Sequence, residues 1–222
     1  YATKWGISSG IEEVTADKFL TWGWADGLPQ HTPAFVFKTS GRKTGHYNQQ
    51  GGLLLIEICH SGRDSKWDRS YEFLVYFKEQ LDFVGKLIKV PKNLLTIRLY
   101  HPHIFPLGSE ISRWQTFDDT LRLEFTMNIG VLIAQSRLVV YSYDSTGILE
   151  SLSLNIPTIA FWQNGLNHLR ENAKPYYQLL VDAGIVHLTP ESAAQKVNEV
   201  WDDVEGWWGQ DKVQNTRKQF CD

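Results

Sequence analysis

The chain has 222 residues, 42% of them hydrophobic and 21% charged, with a formal net charge of -3. That is an ordinary globular composition, and it carries no basic excess of the kind that nucleic-acid binding requires. Two cysteines far apart, Cys59 and Cys221, make neither a disulfide framework nor a zinc pattern, and no apolar run reaches the ~20 residues of a membrane span. Tyr1 stands where a full chain would begin with Met, so an upstream part is expected. Nine Trp and nine Tyr are many for this length. They suit either a sugar-stacking surface or a bulky core and interface, and packing is the commoner use.

In chain order, residues 19–24 read as a strand, followed by a Gly, Thr, Pro and Gln-rich loop over 27–52. Residues 53–58 (Leu-Leu-Leu-Ile-Glu-Ile) form an apolar run consistent with a buried strand. Residues 69–86 are an amphipathic helix whose apolar face includes Phe73, Tyr76, Phe77, Leu81 and Val84. A strand is expected over 94–100, a short helix over 129–135 and a buried strand over 137–141. A helix over 145–154 and a strand over 156–161 follow. Residues 168–183 read as a helix kinked or split at Pro175. Helices over 190–208 and 211–220 close the chain.

Strands alternating with helices predict an α/β fold, a Rossmann-like parallel sheet with helices on both faces. Ligands of such sheets bind beyond the carboxyl ends of the strands. Three loops therefore hold the candidates: 59–68, 101–111 and 142–146.

The sharpest local signal is Tyr143-Asp144-Ser145-Thr146-Gly147, where a buried strand runs into a helix. Free backbone N–H groups, the positive end of the helix dipole and two hydroxyls make a phosphate site. The plainer reading is that Asp144 or Ser145 caps the helix. Glu150 lies about a turn further, within reach of a ribose hydroxyl. The loop has neither a Walker A nor a Gly-x-Gly-x-x-Gly spacing, which argues against an ATPase or a dehydrogenase.

The second signal is Arg98-Leu99-Tyr100-His101-Pro102-His103 at a strand end. There, His101 is suited to give a hydrogen bond or a proton to a leaving phosphate, unless it is a loop histidine with a local partner. His101 and His103 lack a third ligand at a suitable spacing, so no metal is expected. The third is the loop from His60 to Arg69. Asp68 opens the long helix, either as its N-cap or as a carboxylate facing an anomeric carbon. Lys66 and Arg69 either pair with a phosphate or sugar carboxylate or lie solvated.

An ordered series of stretches carries a family resemblance. It runs from Phe19-Leu20-Thr21-Trp22-Gly23-Trp24 through Ile97-Arg98-Leu99-Tyr100-His101, Arg113-Trp114 and Ser136-Arg137-Leu138. It continues with Ser145-Thr146, Leu149-Glu150, Leu154-Asn155-Ile156-Pro157-Thr158, Pro190-Glu191-Ser192-Ala193-Ala194 and Trp207-Trp208. The series resembles a family of bacterial surface-carbohydrate transferases and the related retaining β-Kdo transferase domain of WbbB-type O-antigen enzymes.

The resemblance implies the donor-binding lobe of a two-lobed, GT-B-like glycosyltransferase. The donor would be CMP-Kdo, the acceptor a nascent, lipid-linked glycan of a bacterial surface polysaccharide, and no metal or other cofactor would be needed. By the same resemblance, Asp68 is the nucleophile of a double displacement with retention, and His101 contacts the leaving phosphate. Ser145 and Thr146 hold the nucleotide phosphate and Glu150 meets the ribose; apart from the resemblance, Arg98 and Lys66 are candidate donor-binding residues. The implied organisation is an inter-lobe segment over 1–50, a nucleotide-sugar-binding domain over 51–208 and a C-terminal helix over 209–222. The expected location is the cytoplasm, peripheral at the inner membrane. The family also has a catalytic glutamate in a preceding N-terminal lobe, to which no stretch here corresponds. The chain alone is therefore expected to bind CMP weakly and to transfer no sugar. The competing expectations are a UDP-sugar or polyol-phosphate transferase on the same scaffold, and a non-catalytic carbohydrate-binding module.

Overall fold

The computed structural model describes residues 15–21, 25, 27–34, 39, 41, 45–58, 70–99, 108–162, 165–169, 171 and 173–221. Near the amino terminus, β1 (Phe19–Thr21) pairs in parallel with β2 (His31–Pro33), a strand the sequence does not announce. The rest is built on a six-stranded sheet. Its strands are β3 (Gly52–Ile56), β4 (Leu95–Arg98), β5 (Arg122–Glu124), β6 (Ser136–Tyr141), β7 (Thr158–Phe161) and β8 (Val186–His187). All neighbours run parallel, in the order β5-β4-β3-β6-β7-β8. The chain starts at the centre, winds outward to β5, returns to β6 and winds outward the other way to β8. This is the doubly wound α/β architecture, and the expected Rossmann-like parallel sheet is present.

The central strands owe their positions to composition. Leu53, Leu54 and Leu55 of β3, Leu138, Val139 and Val140 of β6, and Ile159, Ala160 and Phe161 of β7 are all essentially fully buried. A strand covered on both faces has no polar side, so it reads as an unbroken apolar run. The edge strands β5 and β8 are three and two residues long.

Helix α1 (Ser70–Lys86) links β3 to β4, followed by the short α2 (Lys89–Asn93). The segment expected as loop up to residue 111 already contains α3 (Gly108–Phe117). Helices α4 (Ile129–Gln135), α5 (Thr146–Ser153), α6 (Lys174–Asp182), α7 (Pro190–Val200), α8 (Val204–Trp208) and α9 (Asp211–Cys221) follow. Helix α1 packs against α7, and its Phe83 stacks on Phe161 of β7 at 4.9 Å. Helix α9 packs against α5 and α6. The five described tryptophans, Trp114, Trp162, Trp201, Trp207 and Trp208, are all buried, so this part of the aromatic excess serves packing.

Two helices differ from their expected spans. The one expected over 168–183 begins only at Lys174, with Pro175 in its first turn rather than at a kink. Proline lacks the N–H that the first turn leaves unpaired anyway, and its fixed φ suits that position. Residues 165–169 thereby stay in the loop after β7. The helix expected over 190–208 breaks at a 3-10 turn, Trp201–Asp203. Asp203 leaves helical geometry and accepts the Gly206 N–H at 2.8 Å, which starts α8 afresh.

The family-marking stretches have local structural reasons. Thr189 caps α7 by accepting the Ser192 N–H at 3.2 Å, with Pro190 next in line. Asn155 has φ 56 and ends α5 in a Schellman turn: Ile156 N–H meets Ser151 C=O at 3.0 Å and Asn155 N–H meets Leu152 C=O at 3.1 Å. Its side-chain oxygen accepts from Trp208 at 2.9 Å and from Gln214 at 3.1 Å, pinning the C-terminal helices to the end of α5. Gly184, at φ 71, ends α6 in the same way.

Candidate functional site

The winding reverses between β3 and β6, so the connections leaving their carboxyl ends part in opposite directions and open a crevice. The described residues at that edge are Glu57 and Ile58 after β3, and Ser142 to Ser145 after β6. Asp68 and Lys66, which follow β3 in the sequence, and His101, which follows β4, lie outside the described residues. Arg98 ends β4, on the far side of β3 from β6. It is half-buried, and its guanidinium donates to the Leu99 carbonyl.

Ser145, Thr146 and Glu150 are brought together at the start of α5. Ser145 occupies the N-cap position with extended backbone (φ -133, ψ 161), but its side chain makes no capping hydrogen bond. Its Oγ is buried and has no hydrogen-bond partner among the described residues. A buried hydroxyl without a partner forfeits its hydrogen bonds to water, so the usual solution would be to turn it onto the helix. Here it is uncommitted. Thr146 is half-buried beside it, and Glu150 is half-buried one turn further on. The first N–H groups of the helix and its dipole add positive potential at the same place.

Close packing sets the position of that helix end. A Cβ on Gly147 would lie 2.6 Å from Cε1 and 3.1 Å from Cζ of Tyr141. The Tyr141 ring ends β6, is buried, and shares a 2.8 Å hydrogen bond with Ser151 Oγ of the same helix. Only a glycine lets α5 begin this close to the strand.

Asp144 turns away from capping towards the next loop. One carboxylate oxygen is 2.9 Å from His168 Nε2 and the other accepts from the Tyr177 hydroxyl at 3.2 Å. This trio, built from the ends of β6 and β7 and from α6, is not apparent in the sequence, where His168 reads as the first residue of a helix.

A second polar cluster lines the β3 side. Glu57 is buried and accepts from Trp114 Nε1 at 3.2 Å. Burial, reinforced by the nearby Glu110 carboxyl and opposed by the Trp114 N–H, pushes its carboxyl up to about 8. Burial also raises Glu110, against the pull of Arg113. The Tyr76 hydroxyl accepts from Ile58 N–H at 2.9 Å and bonds Ser142 Oγ at 2.9 Å, which donates to the Ile56 carbonyl at 3.1 Å. Glu57 is the charged residue that directly follows an apolar strand, and that interruption is the signal by which the sequence marks it.

A pocket of about 250 Å³ lies elsewhere, at the amino ends of β4 and β5, with Lys92, Asp118 and Arg122 in its lining. Lys92 bridges Asp118 at 2.8 Å and, with Thr120, holds that carboxyl down to about 2. It is at the edge opposite to the crevice. Among the described residues no group of three or more His, Cys, Asp or Glu side chains is placed to hold a metal ion. Among them, too, no helix is long and apolar enough to cross a membrane.

Similarity to known proteins was found at two levels. Among solved structures, the chain is similar to WaaG, described as a glycosyltransferase involved in lipopolysaccharide biosynthesis, at 13% identity over 78% of this chain and 42% of that chain, with TM-score 0.40. It is also similar to the spinosyn rhamnosyltransferase SpnG, solved alone and with spinosyn aglycone, at 14% identity over 86% of this chain and 44% of that chain, with TM-score 0.41. The chain thus spans less than half the length of these structures. Comparison with curated proteins returned no match. The model of one family, described as LIC12162 family transferase, matches residues 1–222, and the chain therefore belongs to that family of transferases.

Proposed function

We propose that this chain is the nucleotide-sugar-binding lobe of a GT-B-like glycosyltransferase, and that the donor's phosphate sits at the start of α5. The observation that carries the reading is Ser145: an N-cap serine whose buried hydroxyl neither caps its helix nor hydrogen-bonds another described residue. A helix N-terminus at the reversal point of a doubly wound sheet supplies N–H donors and positive potential for an anion. Ser145 and Thr146 add two hydroxyl donors, and in this reading Glu150, one turn further on, meets the ribose.

The finer reading is transfer of Kdo from CMP-Kdo with retention. The Asp68 carboxylate attacks the anomeric carbon, the bond to the CMP phosphate oxygen breaks, and a glycosyl ester forms. The acceptor hydroxyl then attacks the same carbon, the bond to Asp68 breaks and frees its carboxylate, and the hydroxyl proton passes to solvent. Two inversions give net retention. His101 stabilises the departing phosphate by hydrogen bond or proton, with Arg98 and Lys66 beside the donor's negative charges. In this reading residues 1–50 join the lobe to an N-terminal partner lobe, residues 51–208 bind the donor without a metal, and a lipid-linked glycan accepts the sugar at the inner membrane.

Calorimetric titration of the chain with CMP, UDP, GDP and ADP tests the reading. CMP is expected to bind selectively, and the Ser145→Ala/Thr146→Val variant to weaken it roughly tenfold or more, since two hydrogen bonds to a charged group are lost. A preference for UDP would keep the lobe but replace the donor and remove the reason for a nucleophilic Asp68. Retained CMP affinity in the double variant would overturn the placement of the phosphate.

A further inference from the structure

The loops after β6 and β7 lie side by side because the two strands are neighbours and parallel. His168, from the second loop, meets Asp144, the residue immediately before Ser145. The Asp144 side chain is only 4% exposed. A carboxylate so buried needs donors, and among those it receives are the His168 imidazole on one oxygen and the Tyr177 hydroxyl on the other. Because a carboxylate only accepts, the imidazole proton facing it resides on Nε2.

The ring is also fixed in plane. It stands edge-on to Trp162 at 5.8 Å and 84°. Trp162 is in turn held by its own N–H to the Gly165 carbonyl at 2.7 Å and by an edge contact with Tyr177 at 6.0 Å. The His168 side chain nevertheless remains 28% exposed. An imidazole oriented by a buried carboxylate, with no partner on Nδ1 among the described residues, at the carboxyl edge of the sheet beside a helix N-terminus, engages an anion once Nδ1 also carries a proton. A tie between two loops would need neither the exposure nor the buried counter-charge.

We infer that His168, oriented by Asp144, is a phosphate-side binding residue of the nucleotide site. With the donor bound the ring carries both protons, Nε2–H donating to Asp144 and Nδ1–H donating to the donor's phosphate opposite the Ser145 and Thr146 hydroxyls. The inference rests on the placement of the phosphate at α5.

His168→Gln separates this role from a structural one, because glutamine can still donate to Asp144 but brings no imidazolium. Calorimetry of the full chain with CMP and with cytidine, beside thermal melts, gives the readout. CMP affinity is expected to fall about tenfold, with cytidine affinity and the melting temperature nearly unchanged. If CMP affinity holds while Ser145→Ala/Thr146→Val still loses it, His168 has no part in binding and the phosphate site stands without it. If CMP and cytidine affinities fall together with the melting temperature, the pair is a loop tie and the inference is overturned. Failure of the wild-type chain to distinguish CMP from cytidine would remove the phosphate site itself, and this inference with it.

Discussion

A Glu57→Gln chain is expected to be more stable than the wild type at pH 9, by on the order of 3 kcal/mol, and nearly equal to it at pH 5. Glu57 directly follows the central strand and is buried, with its folded-state carboxyl raised from 4.5 to about 8 by burial and by Glu110. A carboxyl raised on folding favours the folded state while it keeps its proton. Its contribution is fully present below about 4.5 and is lost as pH rises through about 8, where folding has to hold a buried charge. Glutamine keeps an acceptor for the Trp114 N–H and never ionises. Urea denaturation at pH 5, 7 and 9 checks this: the two chains should diverge as pH rises, and parallel stabilities would mean that Glu57 is ionised or solvated in the folded protein.

Gly147→Ala is expected to lower both stability and nucleotide affinity. Two effects oppose each other. Alanine is the better helix former by up to about 1 kcal/mol. Its methyl, however, would sit 2.6 Å from the Tyr141 ring, which cannot swing aside because it is buried and bonded to Ser151. Overpacking of this kind costs about 1–3 kcal/mol, so the clash wins. A net loss of about 1–2 kcal/mol corresponds to a fall of roughly 2–8 °C in melting temperature for a chain of this size. The start of α5 would be pushed off β6, carrying Ser145 and Thr146 with it, so CMP affinity should fall beyond what stability alone explains. An alanine variant that melts and binds as the wild type does would show that the helix end is not fixed by this contact.

The centre of the fold was legible because burial on both faces writes itself as continuous apolar runs, as in Leu53-Leu54-Leu55 and Leu138-Val139-Val140. The start of α5 was legible for another reason: a strand that runs directly into Asp-Ser-Thr-Gly leaves little choice but a turn into a helix. The edges were not legible. Strands as short as β5 and β8 have no room for a period, and their pairing comes from neighbours distant in sequence. Pro175 is ambiguous in the sequence because its meaning depends on position: inside a helix it breaks, and in the first turn it fits. Read as the first residue of a helix, His168 gives no sign of the loop position that sets it against Asp144. In the sequence Glu57 reads as a strand residue, since only three-dimensional packing puts Trp114 and Glu110 around it. Of the expected site residues, Ser145, Thr146 and Glu150 share one helix end, Arg98 ends a strand on the other side of β3, and Asp68, Lys66 and His101 lie outside the described residues.

The placement of the donor's phosphate is tested most directly by following backbone amide resonances of the chain during titration with CMP. The largest shifts are predicted at Ser145, Thr146, Gly147 and Ile148, with smaller ones in the loop that carries His168. Shifts centred instead on Lys92, Asp118 and Arg122, at the opposite edge of the sheet, with the start of α5 unmoved, would contradict it.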